Sequence, residues 1–474
     1  MEEPIATAAA QPRAAELYAQ FCGGCHGADL QGGAGSSLGD NDWRFGSDEE
    51  SIAASIRDGR EEAGMPAMRH ALSDDDIREL VGFLRSRSQS QIVAAADQGP
   101  DPHGMVVSSA RHVFRIETLT QALDTPWGID FLPDGRLLVT EKEGRLRLLA
   151  DDSLHEDSVA GTPEVWHIGQ GGLLDVAVHP EYVRNGWIYL AYSKQDVTGT
   201  GMVAVQRGRL RNHQWVDAEH IFQAPAGTGR PGGAQFGSRI AFDGYGYLFL
   251  TVGDREFADD AQDLRRPNGK ILRLRDDGSI PFDNPFVGFA HTLPSIWSWG
   301  HRNPQGLAFD PSTGHLWSTE HGPRGGDELN WIHFGTNYGW PLATYGTNYD
   351  GTPVSQHVEG PGLQSPAAVW TPSIGISAIT FYTGHRFPAW RGHLLLASLV
   401  QEELHRLEIV HGSVVHHETL LRGLGRIRDV TTGPDGCIYV ALNLPDRIVR
   451  LVPADDGAPE PLVHQPTGPA RRSI

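Results

Sequence analysis

The chain reads as a mainly β protein: a six-bladed β-propeller with a small all-α domain at its N-terminus. Three observations predict this. From Phe114 onward, an apolar strand, a turn with Pro, Asp or Gly, and a second apolar strand recur as a unit six times. The 474 residues include 57 glycines and 31 prolines, as a turn-rich β fold requires. Ahead of the repeat the text is helix-forming and surrounds a single Cys-x-x-Cys-His run, Cys22-Gly23-Gly24-Cys25-His26.

Ala14 to Phe21 form the helical run that leads into this motif. Two thiols three apart on one helical turn can each form a thioether to a haem vinyl group, with the adjacent His26 reaching the iron. The spacing of Cys22, Cys25 and His26 therefore reads as covalent haem c attachment. A disulfide or half a zinc site is the competing reading. It lacks a second Cys pair, because the remaining cysteine, Cys437, lies far away in strand-like text. Gly64-Met65-Pro66-Ala67-Met68 supplies two thioethers for the sixth iron position; Met65 is favoured and Met68 is the alternative. Ser73-Asp74-Asp75-Asp76 has the form of a capped, dipole-matched helix start, followed by Ile77, Leu80, Val81 and Leu84 at helical spacing. Residues 12–88 thus resemble a class I cytochrome c, which implies one-electron transfer and leaves the donor open.

Domain boundaries follow composition. Residues 1–88 form the cytochrome c domain, and the Ser/Gln/Ala-rich then Gly/Pro-rich stretch 89–112 is a linker. Residues 113–453 form the propeller, and 454–474 a Pro-rich tail. The six repeats run Trp127 to Thr140, Leu173 to Tyr192, Ile240 to Val252, Leu307 to Thr319, Ile379 to Ser398 and Val430 to Leu442. A sandwich with long loops is the competing architecture.

A net charge of −20 argues against nucleic acid and against an anionic membrane surface as partners. No apolar run is long enough to span a bilayer. Haem c attachment is extracytoplasmic in bacteria, which makes a periplasmic or secreted location the expectation. No apolar signal segment stands at Met1, so the chain is expected to be a mature form with an added start residue.

Within the repeat region, Leu173-Leu174-Asp175, Gly253-Asp254-Arg255, Gly300-His301-Arg302-Asn303-Pro304-Gln305-Gly306-Leu307, His321-Gly322-Pro323, Asp327-Glu328 and Asn337-Tyr338-Gly339-Trp340-Pro341 occur in that order. Together they resemble the soluble glucose/aldose sugar dehydrogenases that use pyrroloquinoline quinone (PQQ), over about residues 114 to 452. PQQ carries three carboxylates and an ortho-quinone, so its site needs guanidinium groups and a cation. Arg426-Ile427-Arg428 on a strand presents two guanidinium groups on one face. The resemblance implies that Arg426 and Arg428 meet the cofactor carboxylates and that Arg302 and Asn303 meet its quinone edge. Gln170 and Ser373 match further positions near the cofactor. A Gly-Pro pair supplies calcium with backbone carbonyls in the family, which maps onto Gly322 and Pro323, with Asp327 nearby.

Two positions depart from the family. Its base histidine stands in a His-x-x-x-Arg segment, and the corresponding text here is Gln235-Phe236-Gly237-Ser238-Arg239. An amide cannot accept a proton at useful pH, whereas imidazole can. Gln235 therefore marks a base-deleted variant, a protein with another base (Asp254 being the candidate), or a binding module. Val400 stands where the family often has a cofactor-reaching lysine.

The expected function is a quinohaemoprotein dehydrogenase. A sugar or other alcohol would be oxidised by hydride transfer to PQQ, and electrons would pass through haem c to an external cytochrome, copper protein or oxidase. The competing readings are a non-catalytic redox protein that binds PQQ or substrate, and a calcium-dependent lactonase-like propeller.

Overall fold

The computed structural model describes residues 11–454, apart from 28–29, 31–35, 40–42, 47, 61–63, 99 and 350. The expected tail beyond Ala454 and the expected start at Met1 lie outside the described residues.

Six antiparallel sheets make the body of the molecule, one for each sequence repeat. Blades 1 to 5 are four-stranded meanders. Their innermost strands are Pro126–Phe131, Leu173–Val178, Gly237–Phe242, Pro304–Phe309 and Ile376–Phe381. Blade 6 starts with Arg426–Thr432 and is completed by the other end of the repeat region: Val113–Thr120 pairs antiparallel with Arg447–Pro453. Each innermost strand touches the next all the way round, including blade 6 against blade 1, so the ring is closed.

The second strand of a blade explains the repeat text. Leu137–Glu141, Leu248–Val252, Leu316–Glu320, Leu394–Ser398 and Ile438–Asn443 are buried at every position. Neighbouring blades cover both faces, so these strands read as short continuous apolar runs rather than alternating ones.

Polar groups staple blade to blade. The hydroxyls of Thr251, Thr319 and Ser377 donate to carbonyls of the following blade, at Pro304 (3.0 Å), Ser377 (2.6 Å) and Ile427 (2.7 Å). Carboxylates do the same for backbone N–H groups. Asp130 accepts from Val178 (2.7 Å), Asp175 from Ile240 (2.7 Å) and Asp429 from Ile129 (2.8 Å). Arg239 sits between two of them, 2.8 Å from Asp175 and 2.9 Å from Asp429, with its guanidinium 4.2 Å from the Trp127 ring centre. Burial pushes Asp130 up to about 7 and Asp175 to about 6, the Arg239 charge opposing the rise at Asp175.

The N-terminal domain has helices Gln11–Phe21, Gly23–His26, Glu49–Asp58 and Asp74–Gln98. Ser73 and Asp76 form a reciprocal cap: the Asp76 N–H donates to the Ser73 hydroxyl (3.2 Å), and the Ser73 N–H to the Asp76 carboxylate (3.1 Å). Ile77, Leu80, Val81 and Leu84 are buried together with Ala14, Tyr18, Ile52 and Ile56. The last helix runs to Gln98, well into the stretch expected to be a linker, and Val106–Ser108 adds an outermost strand to blade 6. The stretch 89–112 thus holds the end of that helix and an edge strand of blade 6. Ala and Gln are good helix formers, so a Ser/Gln/Ala-rich text extends a helix already nucleated by its packed first turns. Among the described residues no helix is long and apolar enough to cross a membrane.

Candidate active site and haem cavity

All six blades contribute to one cleft at the end of the propeller where innermost strands begin and second strands finish. Its lining includes Trp127 and Lys142 of blade 1, Gln170 ahead of blade 2, Phe236, Gln305 and His321 of blades 3 and 4, Leu399 of blade 5, and Arg426 and Arg428 of blade 6. The period-two spacing of the two arginines does bring both to this cleft. The Arg428 guanidinium is 3.3 Å from Gln305 Oε1 and 5.7 Å from the Trp127 ring centre.

Gln235, Asp254 and Arg302 are brought together beneath one wall. The Gln235 amide, oriented to suit its neighbours, donates to Asp254 Oδ1 and accepts from Arg302 Nη2 (2.9 Å). Asp254 also accepts from the Glu256 N–H at Oδ1 (2.9 Å) and from Trp340 Nε1 at Oδ2 (2.8 Å). Burial pushes the Asp254 carboxyl up to about 7, with the Arg302 charge and the Trp340 hydrogen bond opposing the rise. Gly253 permits this crowding, because a Cβ there would strike the Gln235 carbonyl. Gln235 itself holds a left-handed backbone, φ 56°, where non-glycine residues are uncommon. Its N–H donates to Gln170 Oε1 (2.9 Å), which joins the buried cluster to the cleft.

The remaining expected residues divide. Asn303 is turned to structure: its Oδ1 accepts from the Gly237 N–H and from Gln305 Nε2, both at 3.1 Å. Arg302 Nη1 donates to the carbonyls of Gly322 (2.8 Å) and His321 (3.2 Å). Asp327 is fully engaged by backbone, accepting from the N–H groups of Gly322, Ile374, Gly375 and Ile376. Ser373 keeps a buried hydroxyl with no partner among the described residues.

His321 is the residue that sequence reasoning passed over. It lines the cleft, and its Nε2 is buried without a hydrogen-bond partner among the described residues. Burial holds it far below the ordinary imidazole value, at about 4, with Arg302 and Arg428 adding to the depression against Asp327. It is therefore neutral at pH 7. Its signal was its place directly before the Gly322-Pro323 pair.

In the helical domain, Cys22, Cys25, His26, Met65 and Met68 line a single cavity with Phe21, Leu38, Trp43 and Ile56. The helical turn continues through the motif, the His26 N–H donating to the Cys22 carbonyl (2.9 Å). Both thiols are free. His26 Nδ1 lies 2.8 Å from the Ser36 carbonyl, which fixes the ring and leaves Nε2 for a metal, as in other ligating histidines. Both methionines reach the cavity, so the alternative between them stays open.

Comparison with known proteins agrees with this architecture. Residues 123–450 match the family model described as glucose / sorbosone dehydrogenase, and residues 9–84 match that of cytochrome c oxidase, cbb3-type, subunit III. The chain is 40% identical over 331 residues to the aldose sugar dehydrogenase YliI of Escherichia coli, covering 69% of this chain and 89% of that protein. A crystal structure of a glucose dehydrogenase matches with a TM-score of 0.69 and 42% identity, covering 72% of this chain and 99% of the other. The PQQ-bound form of an aldose sugar dehydrogenase from Streptomyces coelicolor matches with a TM-score of 0.59 and 27% identity, over 74% of this chain and 99% of the other. This chain belongs to the glucose/sorbosone dehydrogenase family and carries a cytochrome c domain at its N-terminus.

Proposed function

We propose that the chain oxidises a hydroxyl of an aldose sugar or similar alcohol with PQQ held in the axial cleft, and that haem c passes the electrons to an external acceptor (a cytochrome, a copper protein or a terminal oxidase). One observation carries this reading: Arg426, Arg428 and the unpartnered Nε2 of a neutral His321 converge on one cleft of a sugar-dehydrogenase propeller. The cleft residues suit PQQ, since two guanidinium groups and the Lys142 ammonium answer its carboxylates and Trp127, Phe236 and Leu399 answer its flat ring. When bound, PQQ supplies the two-electron acceptor that no side chain provides.

The protein's own part is positional and protolytic. Gln170 and Arg302 hold Gln235 in place, and Gln235 in turn fixes the Asp254 carboxylate. Asp254 is the proton acceptor for the substrate hydroxyl, because a carboxyl near 7 is substantially ionised at neutral pH while an amide is never basic. Calcium has the Gly322 and Pro323 carbonyls as donors. The Gly322 carbonyl already accepts from Arg302, and both Asp327 oxygens are taken. A cation held by those carbonyls would supply a Lewis acid beside the cleft. Haem c attachment supports a periplasmic location.

One observation favours a second reading, a PQQ-binding redox protein without turnover. Gln235 covers Asp254, which is only 1% exposed. Reconstituting the haem-loaded chain with PQQ and calcium, then following haem absorbance as aldoses are added, separates the two. Haem reduction that requires both PQQ and sugar is the expected result; PQQ binding with no reduction by any aldose supports the second reading. Gln235→His should raise the rate and move its pH dependence toward the imidazole range.

A further inference from the structure

Three residues of the helical domain, Trp43, Arg44 and Phe45, line the haem cavity and also lie against the rim of the propeller cleft. The Arg44 carbonyl accepts from the Gly233 N–H. The Trp43 carbonyl rests against Gly169, where a Cβ would come within 2.9 Å of it, and Gly169 holds φ +53°. The Arg44 guanidinium forms an ion pair with Glu256, both side chains being at most 20% exposed, and lies 6.0 Å from the Tyr349 ring centre. Tyr349, from the propeller, is itself part of the haem cavity wall.

The propeller side of this contact is tied to the catalytic cluster. Glu256 donates its N–H to Asp254. Arg255 is buried and braces the opposite loop, donating to the carbonyls of Gly232 and Ala234 with its guanidinium 3.6 Å from the Phe236 ring centre. Contact is therefore continuous from haem cavity to Arg44, to Glu256, to Asp254.

We infer that Arg44 and Glu256 are positioning residues for electron transfer: their ion pair holds the haem domain over the cleft and sets the distance electrons travel. The inference rests on the dehydrogenase reading above. Oxidation of a C–OH group to C=O releases two electrons and two protons. The protons leave to solvent and the electrons pass singly through the haem iron to an external one-electron acceptor, two of which are reduced per sugar. A shielded charge pair is well suited to holding such a contact, because it is screened less than an exposed one.

The test uses the full haem-loaded chain with Glu256→Lys, Arg44→Glu and the exchanged pair. Small-angle X-ray scattering, which needs neither PQQ nor sugar, reads docking directly. Each single variant should enlarge the radius of gyration, and the exchange should restore it. With PQQ, calcium and sugar, haem reduction should slow at least tenfold in each single variant and recover in the exchange. Reduction of a small artificial acceptor by the propeller should be unchanged in Arg44→Glu. Unaltered scattering and unaltered haem reduction in both single variants overturn the inference. A wild-type chain that reduces neither haem nor the artificial acceptor refutes the dehydrogenase reading instead, while scattering still judges the docking.

Discussion

The haem cavity and the propeller cleft are built on opposite plans. Three of the residues expected at the haem, Cys22, Cys25 and His26, sit on one helical turn, and the helix that bears them needs only its local backbone bonds to aim them. The cleft draws its lining from Thr125 to Arg428, across all six blades, and no two blades alone would make it. A covalent anchor can be specified by neighbours in sequence. A cleft lined by charged side chains from several directions is reached only by ring closure.

The largest effect expected is at the haem. Cys22→Ser combined with Cys25→Ser should abolish covalent haem, read by absorbance of the denatured protein, while the propeller's thermal transition stays in place. A shift of that transition would show that the two regions are energetically one.

Next comes the hub of the ring. Arg239→Ala leaves Asp175 and Asp429 buried without their counter-charge and should cost about 3–5 kcal/mol in denaturant unfolding. The haem spectrum should be unchanged.

At the catalytic cluster, Asp254→Asn should lower turnover about 100-fold or more, roughly 2.7 kcal/mol of barrier. The wild-type rate should climb as pH rises through about 7, because Asp254 must be ionised to accept a proton and burial holds its carboxyl there. A flat profile across that range would remove Asp254 from the base role.

Smallest is a single staple. Thr319→Val keeps the shape but loses the hydroxyl bond to the Ser377 carbonyl, and should cost about 1 kcal/mol with turnover retained. A much larger loss would mean that the staples act cooperatively around the ring.

The repeat count, the haem motif and the Ser73-capped helix were legible because each is written in residues close together along the chain. Arg426 and Arg428 were legible for the same reason, a strand's period of two. Asn303 was not legible as the strand brace it is, since its partners, Gly237 and Gln305, are fixed by how blade 3 meets blade 4. His321 carried a motif position but no sign of its lone buried nitrogen. The helix running to Gln98 was not legible, because composition reports solubility and flexibility, while continuation of a helix depends on what its first turns bury.

By itself, then, the sequence determined the class of both parts and the Cys-x-x-Cys-His spacing of the first, because strand alternation, capping and motif spacing are near-neighbour properties. Tertiary structure alone decided that Gln235 lies between Asp254 and Arg302, that Arg302 points at the Gly322 carbonyl, and that Arg44 of one domain meets Glu256 of the other. Gln235 and Asp254 flank one hairpin of blade 3, and Arg302 and Gly322 one hairpin of blade 4; joining Gln235 to Arg302 needs those two blades to pack, and Arg44 meets Glu256 only where the helical domain lies on the propeller.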